Sequence, residues 1–173
     1  MTVETIKVGS LNTNCYLLTS NGEMLIIDPG ADSGKIIKKI EEEEAEPVGI
    51  INTHSHYDHV GANEKIKTRF AVDLLNSEEN LRVGGFNLKI VETPGHKNDC
   101  ICLIGKNFAF TGDTIFEKVH GRVDLAEGSI EKMKKSLEKL SDKLEIGMMI
   151  YPGHGESFTL KTTDLKNKYL KNA

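Results

Sequence analysis

Ile51–Ala62 reads INTHSHYDHVGA, and inside it His54, His56, Asp58 and His59 place four metal-competent side chains within six residues. An apolar strand, Val48–Asn52, runs straight into Thr53-His54-Ser55-His56. In an extended chain alternate side chains share a face, so both imidazoles can reach one point. Asp58 and His59 follow at the next turn, at the start of a helix, and aim at a second point nearby. Imidazole and carboxylate are ligands that zinc prefers and that iron or manganese accept. The competing reading is a loop of satisfied polar groups, but without a cation such closely packed ionisable groups would repel and dehydrate one another.

Three further candidates close an apolar strand followed by glycine. His96 ends LKIVETPGH, Asp113 ends FAFTGD, and His154 ends MMIYPGH. Strand ends with glycine are where an α/β scaffold presents side chains to a shared crevice. Singly, each reads as a turn residue; with the dense run they supply enough ligands for two metals.

Around these motifs the chain is ordinary. Its 173 residues favour one domain over residues 1–173, and a chain of this size buries roughly 70% of its unfolded surface without needing disulfides. Apolar residues make up 38% and charged residues 28%, with net charge −4. No basic field draws it to nucleic acid or to an anionic membrane, and Lys161, Lys166, Lys168 and Lys171 read as a solvated helix face. The longest apolar runs fall far short of the roughly 20 residues that span a bilayer, and Met1–Ser10 is not a secretory signal. Three cysteines, Cys15, Cys100 and Cys102, are an odd set that argues against a secreted disulfide framework. They read as buried thiols in a cytoplasmic protein. The sequence assigns no oligomeric state.

Strand patterns fall at Asn14–Leu18, Glu23–Ile27, Val48–Asn52, Ala71–Leu75, Phe86–Glu92, Cys100–Ile104, Phe108–Thr111 and Met148–Tyr151. Helical spacing marks Lys35–Glu44, with Ser33 as its cap, and Ser129–Leu140, with Ser129 as its cap. Ala62–Arg69 and Asp164–Leu170 are weaker helices. Early hairpins followed by strand–helix–strand units make an α/β protein.

In this order, HSHYDHVG, TPGH, TGDTIF and YPGHGE resemble the metallo-β-lactamase fold superfamily, and within it the small glyoxalase II-like hydrolases. The resemblance runs from about Asn12 to Glu156 and implies a four-layer αββα sandwich with metals at one edge. It implies that His54, His56 and His96 bind one divalent cation and that Asp58, His59 and His154 bind the other. The cations would be zinc, with iron or manganese possible, and Asp113 would bridge them. Asp28 in IIDPG would orient the metal-binding loop, the alternative being a plain turn residue before Pro29-Gly30. The implied activity is hydrolysis of a thioester or other small acyl substrate by a bridging hydroxide, with Asp58 also orienting the attack.

Departures from the family's pattern sharpen this. Glyoxalase II proper carries a C-terminal helical domain that grips glutathione, and this chain ends soon after His154. The stretch Asn76–Gly84 is short where many relatives carry an insertion. Asp113 stands where the best-known antibiotic-degrading branch has cysteine, which argues against a dedicated β-lactamase. A rival reading is a one-iron persulfide dioxygenase-type oxygenase held by His54, His96 and Asp113; a non-catalytic metal-binding protein is a third. His120, Arg122 and Asp124 lie in a loop after Asp113. There Arg122 either binds a substrate carboxylate or pairs with Asp124.

Overall fold

The computed structural model describes residues 1–75, 80–83 and 85–170, and its contacts divide the chain into two compact units, Met1–Asn87 and Leu88–Ala173.

The first unit is a four-stranded sheet in the order β1–β2–β3–β4, with β1 Thr2–Val8, β2 Thr13–Ser20, β3 Glu23–Ile27 and β4 Glu46–Ile51. The first three strands are antiparallel, and β4 joins β3 in parallel. A parallel partner requires a crossover, supplied by helix α1, Ser33–Glu42. Asn21 and Gly22 close the β2–β3 hairpin with φ of 52° and 79°. These are the left-handed values that a two-residue turn needs to match strand twist. Helices α2, Tyr57–Val60, and α3, Asn63–Phe70, follow β4, and a short strand β5 covers Asn80–Val83. Ile36 and Ile40 of α1 and Ile66 of α3 pack with Ile6, Leu17, Ile26 and Ile50 of the sheet in one buried cluster. Each such side chain contributes roughly 1.5–3 kcal/mol on burial.

Two expectations fail in this unit. Ala71–Leu75 is not a strand. Ala71 takes φ 54° at the end of α3, and only a single bridge, Leu74 with Ile50, follows. One bridge beside β4 cannot nucleate a ladder. Nor does Ser33 cap α1. It is already helical, and the cap is Asp32 at φ 49°, whose carboxylate leaves the helix and accepts from the Gly9 amide at 2.9 Å. The stretch Asn76–Gly84 lies in part outside the described residues, as does Lys171. Strand β1 escaped the sequence reading because Glu4 interrupts its inner face and only Ile6 and Val8 are deeply buried.

The second unit begins within β6, Phe86–Glu92, and continues with β7 Ile101–Ile104, β8 Phe108–Gly112, helix α4 Ile130–Ser141, β9 Met149–Pro152, β10 Phe158–Thr159 and helix α5 Leu165–Leu170. Its strands lie in the order β10–β9–β8–β7–β6. All pairs are antiparallel except β8 with β9, which α4 connects. Ser129 caps α4 as its sequence indicates, accepting from the Lys132 amide at 3.3 Å. Met133, Leu137 and Leu140 turn from α4 into a core with Cys102, Ile115 and Ile150. All three thiols are buried, and burial pushes each well above its ordinary range, Cys102 to about 11. Among the described residues none of them joins a group of side chains spaced to hold a metal ion. Among the described residues no helix is long and apolar enough to cross a membrane.

Candidate metal centre

In the first unit, β4 delivers Thr53 and His54 at its end, and the chain bends so that His56 precedes α2. His54 and His59 are buried, while His56 and Asp58 are half-buried. His54 Nε2 approaches His56 Nδ1 to 3.0 Å, and His59 Nε2 lies 3.6 Å from Asp58 Oδ2.

Asp28 stands behind this loop. It is buried at 1% exposure and takes φ 52°, a left-handed value that aspartate tolerates better than most residues. Its carboxylate accepts from the Thr53 amide at 2.7 Å, the Thr53 hydroxyl at 2.6 Å and His59 Nδ1 at 2.9 Å. The Thr53 hydroxyl spends its one proton on Asp28, so at 3.2 Å it accepts from His54 Nδ1. One carboxylate thereby fixes two imidazoles in the tautomer that presents Nε2 as a lone pair, as a metal-binding histidine requires.

The turn after Asp28 presses on the same loop. A methyl group at Gly30 would sit 1.4 Å from the Asp58 carbonyl oxygen, and the Ala62 amide donates to the Pro29 carbonyl at 2.9 Å. Gly30→Ala is therefore expected to displace the α2 backbone and destabilise the protein by about 3 kcal/mol, the upper end for overpacking. Urea unfolding of the metal-free protein measures it; a wild-type midpoint would refute the close approach.

Thr13, Asn52 and Asn63 complete the support, and the sequence reading missed them. The Thr13 hydroxyl donates to Asp58 Oδ2 at 2.8 Å. Asn52 donates to the His59 carbonyl at 2.8 Å and accepts from Asn63 at 2.7 Å, bracing the junction of α2 and α3. No local pattern links Thr13 to a residue 45 positions away.

In the second unit, His96 follows the Pro94-Gly95 turn, which is pinned to α4. The Ser129 amide donates to the Gly95 carbonyl and the Ser136 hydroxyl to the Pro94 carbonyl, at 2.8 and 2.7 Å. Asp113 leaves β8 after Gly112, whose φ of 47° turns the chain out of the strand. Its Oδ2 lies 3.6 Å from His96 Nε2 and 3.5 Å from His154 Nε2. One carboxylate oxygen thus sits within reach of two imidazoles. His96 Nδ1 donates to the Arg122 carbonyl at 2.8 Å, so here too Nε2 carries the lone pair.

In the loop carrying that carbonyl, Arg122 makes the pair with Asp124. Its guanidinium donates through Nε and Nη2 to both oxygens of Asp124, each at 2.8 Å, and holds the Asp124 carboxyl down to about 2. The fork is engaged within the loop, and His120 Nδ1 donates to the Gly121 carbonyl at 2.7 Å.

Two nitrogen or oxygen ligands about 2.1 Å from one tetrahedral cation stand roughly 3.4 Å apart. The four spacings found within the two units, 3.0, 3.6, 3.6 and 3.5 Å, bracket that value. The set is imidazole and carboxylate with no thiolate, which suits divalent zinc, iron or manganese. The residues fit such ions.

The family model described as the metallo-beta-lactamase superfamily matches residues 8–90 and 71–154. The hydroxyacylglutathione hydrolase GloC of Haemophilus influenzae is 29% identical over an alignment covering 99% of each chain. The crystal structure of the BLEG-1 B3 metallo-beta-lactamase superposes with a TM-score of 0.87 at 24% identity, covering 97% of each chain. That of TTHA1623 in a di-iron-bound form gives 0.84 at 23% identity, covering 95% of this chain and 97% of its own. At these identities the structures establish the fold, and the two sheets with their few helices agree with it.

Proposed function

The chain belongs to the metallo-β-lactamase superfamily, and from that membership we propose that it is a binuclear metal-dependent hydrolase of a thioester or other small acyl compound. In this reading His54, His56 and His96 hold one cation, Asp58, His59 and His154 hold the other, and Asp113 serves both. The observation that carries it is the pairing of donors at ligand spacing, with Nδ1 of His54, His59 and His96 each committed to an acceptor. Structural loops have no need to orient three imidazoles in this way.

Two divalent cations supply Lewis acidity towards the acyl oxygen and bring a water close to ionisation at neutral pH. The protein's own contribution is placement. Asp58 accepts a hydrogen bond from the attacking water and directs it, while Thr53 and Asp28 keep the imidazoles from turning. A thiolate leaves without help from a general acid, so this mechanism suits a thioester, the substrate class to which the family resemblance points. GloC, the relative matched over nearly its full length, bears the name of a thioester hydrolase, which supports the same substrate class.

A screen of thioesters, lactones, phosphodiesters and a β-lactam on metal-quantified protein tests this. Two metals per chain and thioester turnover, lost on chelation and restored by zinc, are the expected result. One iron per chain with oxygen uptake on a persulfide would instead establish the oxygenase reading. A fully loaded protein inert towards every activated ester would leave only metal binding.

A further inference from the structure

Thr13 is the first residue of β2 and is completely buried. Its backbone pairs with Val8 across the β1–β2 hairpin, whose turn is set by Gly9 at φ 67° and Asn12 at φ 52°. The turn is also tied from outside, because the Gly9 amide donates to Asp32. The hydroxyl therefore issues from a fixed point of the sheet rather than from a mobile loop. It meets Asp58 Oδ2 at 2.8 Å, and that same oxygen faces His59 Nε2 at 3.6 Å. A carboxylate on a short side chain turns readily about its last bond, and α2, which carries Asp58, is a single turn of helix. The hydroxyl proton on Oδ2 favours one rotation, because it occupies one lone-pair direction and sets the plane of the group.

We infer that Thr13 is a positioning residue for Asp58, holding its carboxylate in the one rotation that suits metal binding. The inference rests on the ligand role proposed above for Asp58 and assigns β2, otherwise a core strand, a part in the metal site. Removing a hydrogen bond behind a metal ligand weakens binding 10- to 100-fold as a rule of thumb.

Thr13→Val keeps the shape and deletes the donor, whereas Thr13→Ser keeps the donor and deletes the methyl group. Cobalt(II) binding is followed by its ligand-field spectrum and by competition with a chromophoric chelator, on wild type, both variants, and both again in an Asp58→Ala background. For Thr13→Val the expected result is a loss of about 10- to 100-fold in affinity for one of two cations, with altered cobalt bands. On a thioester substrate kcat falls by a similar factor while KM stays within about 2-fold. Serine restores binding to within about 3-fold of wild type, and in the Asp58→Ala background valine has no further effect, because the two residues act as one unit. A valine variant with wild-type affinity and spectrum overturns the role of Thr13 and leaves the hydrolase reading standing. So does a serine variant as impaired as valine, or a valine variant that fails to fold, since either shows that packing is what matters. Wild-type protein that binds fewer than two cations overturns the role of Asp58 and this inference together.

Discussion

Asp113→Ala is expected to lower kcat/KM on a thioester by at least ~10³-fold, about 4 kcal/mol of transition-state stabilisation, and to drop the metal content from two per chain to one or none. The reason is the position of a single oxygen. Oδ2 of Asp113 faces both His96 and His154 at ligand spacing, so alanine removes the one anionic donor that these two imidazoles share. Neutral imidazoles alone neutralise none of the charge of a divalent ion, and a dication left partly uncompensated in a largely buried setting binds poorly. The backbone should hold its course, because Gly112 makes the turn and the Thr114 amide closes it onto the Thr111 carbonyl at 3.0 Å. Metal analysis beside steady-state kinetics gives the answer. An alanine variant that keeps both ions and full activity would remove Asp113 from the site.

Asp28→Asn is expected to act on stability and metal binding at once. The carboxylate accepts from three donors: the Thr53 amide, the Thr53 hydroxyl and His59 Nδ1. Asparagine keeps the size and also tolerates the left-handed backbone, so the main chain is left undisturbed. Its amide nitrogen, however, opposes the Thr53 amide when turned one way, and when turned the other meets the Thr53 hydroxyl and His59 Nδ1, which then have to give up the proton placement they hold here. A buried donor opposed in this way costs roughly 1–3 kcal/mol, a sizeable part of the 5–15 kcal/mol that is typical of a domain. The tautomers of His59 and, through Thr53, of His54 then lose their anchor, and metal affinity should fall 10- to 100-fold. Denaturant unfolding of the metal-free protein separates the first effect from the second, which chelator competition reads. An asparagine variant matching wild type in both would reduce Asp28 to the plain turn residue that its Pro29-Gly30 context allows.

Much of this molecule was legible before its structure. The strands Glu23–Ile27 and Phe86–Glu92 have the bounds their apolar patterns gave, and Ser129 caps α4. These features depend on residues close in sequence, where side-chain period and capping chemistry act within a turn or two. Strand β1 and the stretch Ala71–Leu75 were misjudged for one reason: whether an extended segment becomes a strand depends on the neighbour it finds. Val3 and Glu4 gain a partner in β2, while Leu74 meets β4 at one bridge only.

The same division runs through the site. The sequence by itself determined which atoms can bind metal, because donor chemistry belongs to the residue, and the spacing of His54, His56, Asp58 and His59 places them near one another in any compact turn. Only the tertiary structure decided which nitrogen each imidazole presents and which way each carboxylate faces. Those choices belong to the hydrogen bonds of Asp28, of Thr13 and of the Arg122 carbonyl, whose partners lie 31, 45 and 26 residues away. A hydrogen bond is won or lost over a few tenths of an ångström, and across such separations that distance is fixed by strand register and by the packing of buried side chains, which no local pattern encodes.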